Sequence, residues 1–197
     1  MKMLEQQITV VILAGGRGRR MDEHDKGLVE LEHKPLVQHV IDAVLPQNRN
    51  ILINANQNLD RYRAFGYPVI ADQIGGFQGP LAGVATAMKA VNTPYILTLP
   101  CDAPYVAGQY QQRMWSALET LQTDLVVAHD GKRLQSVHAL LPVSLYTDLI
   151  RFLEGQNRRV DAWYSQYALG LTDCSDISNM FSNLNTRKDL ESYASRR

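Results

Sequence analysis

Directly after an apolar run, the chain gathers glycines and arginines: Leu13-Ala14-Gly15-Gly16-Arg17-Gly18-Arg19-Arg20-Met21, with Lys26 closing the segment. Glycines let backbone N–H groups approach phosphate oxygens without a Cβ in the way. Arginines and a lysine add the charge that suits phosphate. Two common phosphate loops fail the test of spacing. The G-x-G-x-x-G fingerprint finds Gly16 and Gly18 but meets Met21 at its third glycine, and Walker A would need the Lys26-Gly27 pair in the opposite order. A phosphate loop of another type is therefore expected, with Arg20 a stronger candidate than Arg17 or Arg19, either of which could simply face water.

Acidic and amide side chains follow other apolar runs. Asp102 sits in Thr98-Leu99-Pro100-Cys101-Asp102-Ala103-Pro104, where the prolines stiffen the turn. Beside a triphosphate, such an Asp is a natural Mg²⁺ ligand, because Mg²⁺ takes few carboxylates and completes its octahedron with phosphate oxygens and water. The alternative is an N-cap for the next helix. Asn54 and Asp72 end two further runs and contact base or ribose, or else serve as Asx-turn residues. Gly79-Pro80-Leu81-Ala82-Gly83 offers a close-approach surface for a purine edge, or a helix start with a small packing face.

The elements that must position these residues alternate. Strands are expected at Ile8–Leu13, Ile51–Asn54, Pro68–Ala71, Tyr95–Leu99, Asp124–Ala128 and Val137–Leu141. Helices are expected at Pro35–Leu45, Leu59–Phe65, Leu81–Val91, Gln109–Leu121 and Ser144–Leu153, with Pro35 in the first turn of its helix. This alternation implies an α/β chain: a Rossmann-like three-layer sandwich, its sheet mostly parallel with helices on both faces. Ligands in such sheets bind at the carboxyl ends of the strands, where Gly15, Gly16, Asn54, Asp72 and Asp102 all fall. No linker divides residues 1–197, so one domain is expected; regularity fades beyond Gln156.

Composition narrows the classes. Hydrophobic content is 45%, charged content 20% and formal net charge zero, which is ordinary for a globular protein and removes the electrostatic argument for a nucleic-acid footprint. No run is long and apolar enough for a membrane span, and the polar N-terminus does not read as a signal peptide, so a cytoplasmic location is the default expectation. Cys101 and Cys174 lie outside any metal-binding spacing and are expected as buried free thiols, with neither zinc nor disulfide. The five histidines show no metal spacing either; His129 is a candidate for the cleft or for the turn His129-Asp130-Gly131.

Taken together, Leu13-Ala14-Gly15-Gly16, Arg20-Met21 and Asp25-Lys26-Gly27 resemble the signature of nucleotidyltransferases. Adding Asn54-Ala55-Asn56, Asp72, Gly79 to Gly83, Cys101 to Pro104, His129 to Gly131, Arg158-Arg159-Val160 and Asn183-Leu184-Asn185-Thr186, the chain resembles the molybdenum cofactor guanylyltransferase family over almost its whole length. The resemblance implies transfer of GMP from GTP to the terminal phosphate of molybdenum-molybdopterin. It implies GTP contacts at Leu13, Ala14, Gly15, Gly16, Lys26, Asn54, Asp72 and Asp102, with Pro80, Leu81 and Gly83 in the turn that reads guanine. Catalytic roles fall to Asp102, Lys26 and Arg20, with Asp102 holding Mg²⁺. Arg158, Arg159, Asn183 and Asn185 would lie toward the pterin. Cofactor-insertion or molybdoenzyme-specific chaperones are the implied protein partners; nucleic acid and membrane are not. One departure is Asp22-Glu23-His24, where the family carries a pair of glycines. Other readings stay open: a molybdopterin cytidylyltransferase, a sugar- or isoprenoid-phosphate nucleotidyltransferase, a non-catalytic GTP-binding chaperone, or a metabolite-binding scaffold.

Overall fold

The structure, a computed structural model, describes residues 2–15, 25–73, 79–184 and 189. A short helix, α1 (Lys2–Gln7), leads into β1 (Ile8–Leu13). A two-stranded hairpin follows, β2 (Glu30–Leu31) and β3 (Lys34–Pro35), and then α2 (Leu36–Val44). The order continues with β4 (Ile51–Asn54), α3 (Leu59–Arg63), β5 (Val69–Ile70), α4 (Pro80–Ala90), β6 (Tyr95–Pro100) and α5 (Tyr110–Leu121). The last part holds β7 (Leu125–His129), β8 (Leu134–Pro142), α6 (Tyr146–Glu154), α7 (Val160–Tyr164) and β9 (Leu169–Asp173).

Seven strands form one sheet in the order β5-β4-β1-β6-β8-β7-β9. β8 runs antiparallel to both of its neighbours, β6 and β7, while the other pairings are parallel. β1 lies between β4 and β6 and, as its unbroken apolar run requires, is buried on both faces. Alternation sends Val11 to one face, with Leu52, Ile96 and Val127, where α4, α6 and α7 pack. Val10 and Ile12 go to the other, with Ile53, Leu97 and Val126, where α2 and α5 pack. The sheet is thus the middle of three layers, as the alternating sequence pattern implied.

α4 is built almost wholly from small and aliphatic residues, and Leu81 through Met88 are all buried. A helix apolar all round is one enclosed by its neighbours, and this one lies close against β1, β4 and β6. Pro80 stands at its first turn, and Gly79 before it adopts φ +75° and ψ −167°, a backbone region essentially reserved for glycine.

The sequence reading differs from the fold in a few places. Pro35 does not begin α2; it pairs with Glu30 across the hairpin and caps the helix, which starts at Leu36. That hairpin turns through Glu32 and His33, both at positive φ, without the Asn-Gly that marks such turns in a sequence. β9 escapes the pattern because its buried positions are Gly170 and Thr172, while Leu171 between them is exposed. The glycine is required there: a Cβ would come within 2.7 Å of Val126 Cγ1 on the neighbouring strand.

Cys101 and Cys174 are both buried free thiols. His138 of β8 is 3% exposed and lies edge-on to Tyr110 and Phe181. Burial lowers its pKa from 6.5 to about 3. Between these values the unfolded chain takes up a proton that the folded chain refuses, so stability falls as pH drops through the window, by up to about 1.4 kcal/mol per pH unit. Above pH 6.5 the imidazole is neutral in both states and the effect vanishes. Urea unfolding at pH 7 and pH 5 should show a weaker pH dependence for His138→Leu than for the unsubstituted protein. Identical pH dependence would mean that His138 charges in the folded state.

Candidate active site

Four strand ends meet at one edge of the sheet. The hydrogen bonds Ala14 N to Asn54 O (2.7 Å), Cys101 N to Leu13 O (3.1 Å) and Ala55 N to Ile70 O (2.9 Å) extend the parallel pairing one residue beyond the strands. They place Gly15, Asn54-Ala55-Asn56, Asp72 and Cys101-Asp102 side by side. The rule that strand carboxyl ends hold the ligand therefore locates these residues together.

On one side of β1 the amides organise an acid. Asn54 Nδ2 donates to Asp72 Oδ1 at 2.8 Å, Asn56 Nδ2 donates to Asp72 Oδ2 at 2.8 Å, and Asp72 N donates to Asn56 Oδ1 at 2.8 Å. Asn56 Nδ2 also donates to Gly15 O at 3.2 Å, which ties the start of the glycine loop to the same network. Asn54 is 2% exposed, whereas Asp72 is half-buried. The sequence reading singled out Asn54 and Asp72 and gave Asn56 no role of its own; the alternation of Asn-Ala-Asn, which puts both amides on one face, was the available signal.

Behind this network α4 comes very close. Gly83 has no side chain to keep it from Asn54; a Cβ there would overlap Asn54 Oδ1 and lie 3.0 Å from Leu13 Cδ2. Thr86, one turn on, accepts the backbone N–H of Gln73 at 3.2 Å and donates to Ala82 O at 2.9 Å, and Lys89 Nζ donates to Gln73 Oε1 at 3.0 Å. The residue after Asp72 is thereby fastened to α4.

On the other side of β1 stands the charged pair. Lys26 Nζ lies 3.2 Å from Asp102 Oδ2, with 25% and 11% of the two side chains exposed. Asp102 is not a helix cap, because α5 begins at Tyr110. Its backbone oxygen accepts the Leu184 N–H at 2.8 Å, bringing the Asn183-Leu184 segment to the site. Leu184 is buried with Leu31 and Leu36, which fixes that approach. Cys101 beside it has its thiol pushed up by burial, then by the Asp102 and Asp25 carboxylates, so it stays protonated and is no nucleophile at neutral pH.

Other expected site residues lie apart. Arg158 donates to Leu153 O and to Asn157 O (2.9 Å), and Arg159 pairs with Asp161 at 2.6 Å, so both guanidinium groups hold the turn between α6 and α7. His129 takes the turn-flanking role: its Nδ1 accepts Gly131 N–H at 3.1 Å. Gly16, Arg20 and Asn185, together with Arg17, Arg19 and Asp22-Glu23-His24, lie outside the described residues.

Gly15 after the first strand, the Lys26–Asp102 pair and the amide-held Asp72 thus share one edge of the sheet. The chain belongs to the MobA-like NTP transferase family, whose domain it matches over residues 10–168. It is 48% identical over 180 residues to the molybdenum cofactor guanylyltransferase of Shewanella sediminis, covering 91% of this chain and 92% of that one. It is 45% identical over 183 residues to the protein of the same name from Shewanella loihica, covering 93% of each. Among solved structures it resembles the molybdopterin-guanine dinucleotide biosynthesis protein A of Archaeoglobus fulgidus, with TM-score 0.77 and 18% identity over 96% of this chain and 100% of that one. A similar likeness in fold extends to the 4-diphosphocytidyl-2C-methyl-D-erythritol synthase of Anaerococcus prevotii, with TM-score 0.73 and 12% identity over 98% of this chain and 97% of that one.

Proposed function

We propose that the chain transfers GMP from GTP to the terminal phosphate of molybdenum-molybdopterin, releasing pyrophosphate. A phosphate oxygen of the pterin substrate forms a bond to the α-phosphorus, and the bond from that phosphorus to the α–β bridging oxygen breaks in line with it. The attacking group is already anionic, so no general base is required, and the protein acts by positioning and by charge neutralisation. The observation that carries this reading is the Lys26–Asp102 pair at the strand ends, with the Asn54–Asp72–Asn56 network on the other side of β1.

In this reading the backbone of Leu13 to Gly16 lies along the phosphates, and Lys26 with Arg20 balances the charge of the leaving pyrophosphate. Asn54 and Asp72 meet the ribose or base, and Pro80, Leu81 and Gly83 border the guanine. Asn183 and Asn185 lie toward the pterin and its phosphate, and Arg158 and Arg159 would reach them only by releasing Leu153 O, Asn157 O and Asp161. Asp102 fits a Mg²⁺ ligand: a single carboxylate, mostly shielded, beside a phosphate loop suits an ion that takes its other oxygens from phosphate and water. Mg²⁺, when bound, would neutralise phosphate charge. Cofactor-insertion or molybdoenzyme-specific chaperones would receive the product. The cytoplasm is the proposed location; among the described residues no helix is long and apolar enough to cross a membrane.

Calorimetric titration with GTP, CTP, ATP and UTP, with and without Mg²⁺, tests the reading. GTP should bind with clear preference and depend on the cation. Preference for CTP would make the chain a cytidylyltransferase, and no triphosphate binding would remove the enzymatic reading altogether.

A further inference from the structure

Asp25, like Asp72, is a carboxylate at this edge with a side-chain donor on each oxygen. Both of its oxygens point to one short helix. Tyr62 donates its O–H to Oδ1, and Asn58 Nδ2 donates to Oδ2 at 3.1 Å. Asn58 and Tyr62 are four residues apart at the start and on the inner face of α3, the spacing that aligns side chains on one helical face. Tyr62 is fully buried, and its hydroxyl is held protonated by burial, by Cys101 and by Asp25 itself. Gly27 closes the arrangement, because a Cβ there would overlap the Tyr62 hydroxyl and lie 3.3 Å from Cys101 Sγ.

The residues on both sides of Lys26 are therefore pinned to Tyr62: Asp25 by a hydrogen bond, Gly27 by contact. Lys26 lies between them with its ammonium group on Asp102. A lysine stem has four rotatable bonds and does not hold its own direction, so its aim is set by the backbone beneath it together with Asp102. We infer that Tyr62, with Asn58, is a positioning residue that aims Lys26 at the triphosphate through Asp25. α3 leaves the sheet just after Asn54-Ala55-Asn56, so one strand end supports both the amide network and the lysine.

The inference rests on the GTP reading. Tyr62→Phe keeps the ring and removes only the donor. It should weaken GTP binding about tenfold, in line with losing a hydrogen bond to a charged group. The same substitution on a Lys26→Ala background should cost almost nothing further, since its effect is routed through that lysine. Asn58→Gly, which keeps the positive φ and removes the amide, should weaken binding in the same direction and supplies the measurement if Tyr62→Phe does not fold. Unchanged GTP affinity in both variants, or an equal loss with and without Lys26, overturns the inference. No GTP binding by the unsubstituted protein overturns the functional reading along with it.

Discussion

Asp102→Ala should reduce pyrophosphate release from GTP and molybdenum-molybdopterin by at least about 10³-fold, comparable to removing a principal electrostatic group from an active site. Two losses combine in the one substitution. The carboxylate proposed to hold Mg²⁺ disappears, and Lys26 loses the partner 3.2 Å away that fixes its ammonium group. Asp102→Asn separates them, because the amide oxygen still accepts from Lys26 but binds a divalent cation poorly. Its turnover should stay near that of the alanine variant while its folding matches the unsubstituted protein. Near-normal turnover in the alanine variant would reassign the site, with Asp25, the other carboxylate that acts on Cys101, the next to test.

Gly83→Ala should damage both stability and nucleotide affinity, although the change usually favours a helix by about 1 kcal/mol. The added methyl would overlap Asn54 Oδ1, and Asn54 cannot turn away without releasing Asp72. Leu13, also in the way, belongs to the central strand. Either α4 moves off the sheet or the amide network opens, and overpacking of this kind costs about 1–3 kcal/mol. A lower denaturation midpoint with GTP affinity weakened tenfold or more is the expected pair of results. Full stability and full affinity together would show that Asn54 is free to move and that its bond to Asp72 has no part in binding.

The half of the sheet around β1 was legible because its strands are buried on both faces and write themselves as unbroken apolar runs, each ending at or just before a residue of the proposed site. Ile8–Leu13, Ile51–Asn54 and Tyr95–Pro100 were located to within a residue for this reason. What the sequence hid depends on contacts between distant segments. Tyr62 reads as one more aromatic in a five-residue helix until the fold brings Asp25 against it, 37 positions away. Asn56 has no role of its own in the sequence until Asp72 and Gly15 converge on it. Arg158 and Arg159 carry an evident motif, yet their charges are spent on local carbonyls and on Asp161. A motif marks residues that matter; it does not tell whether they reach the substrate or brace the turn that does.

The reversed strand β8 has a consequence for the order in which the molecule is assembled. β6 gains its partner on the far side only from Leu134–Pro142, which emerges from the ribosome after β7. Until then a sheet of β5, β4, β1 and β6 would carry a second raw margin at β6 besides its β5 edge, and β7 would lack both of its final partners. An open margin of this kind invites pairing with other chains. A chain that folds as it is made would therefore pass through an interval, between Pro100 and Leu134, in which the strand-end cluster is already present while β6 lies open. A pause of translation in that stretch would be a hazard to the cell well before it was a loss of catalysis.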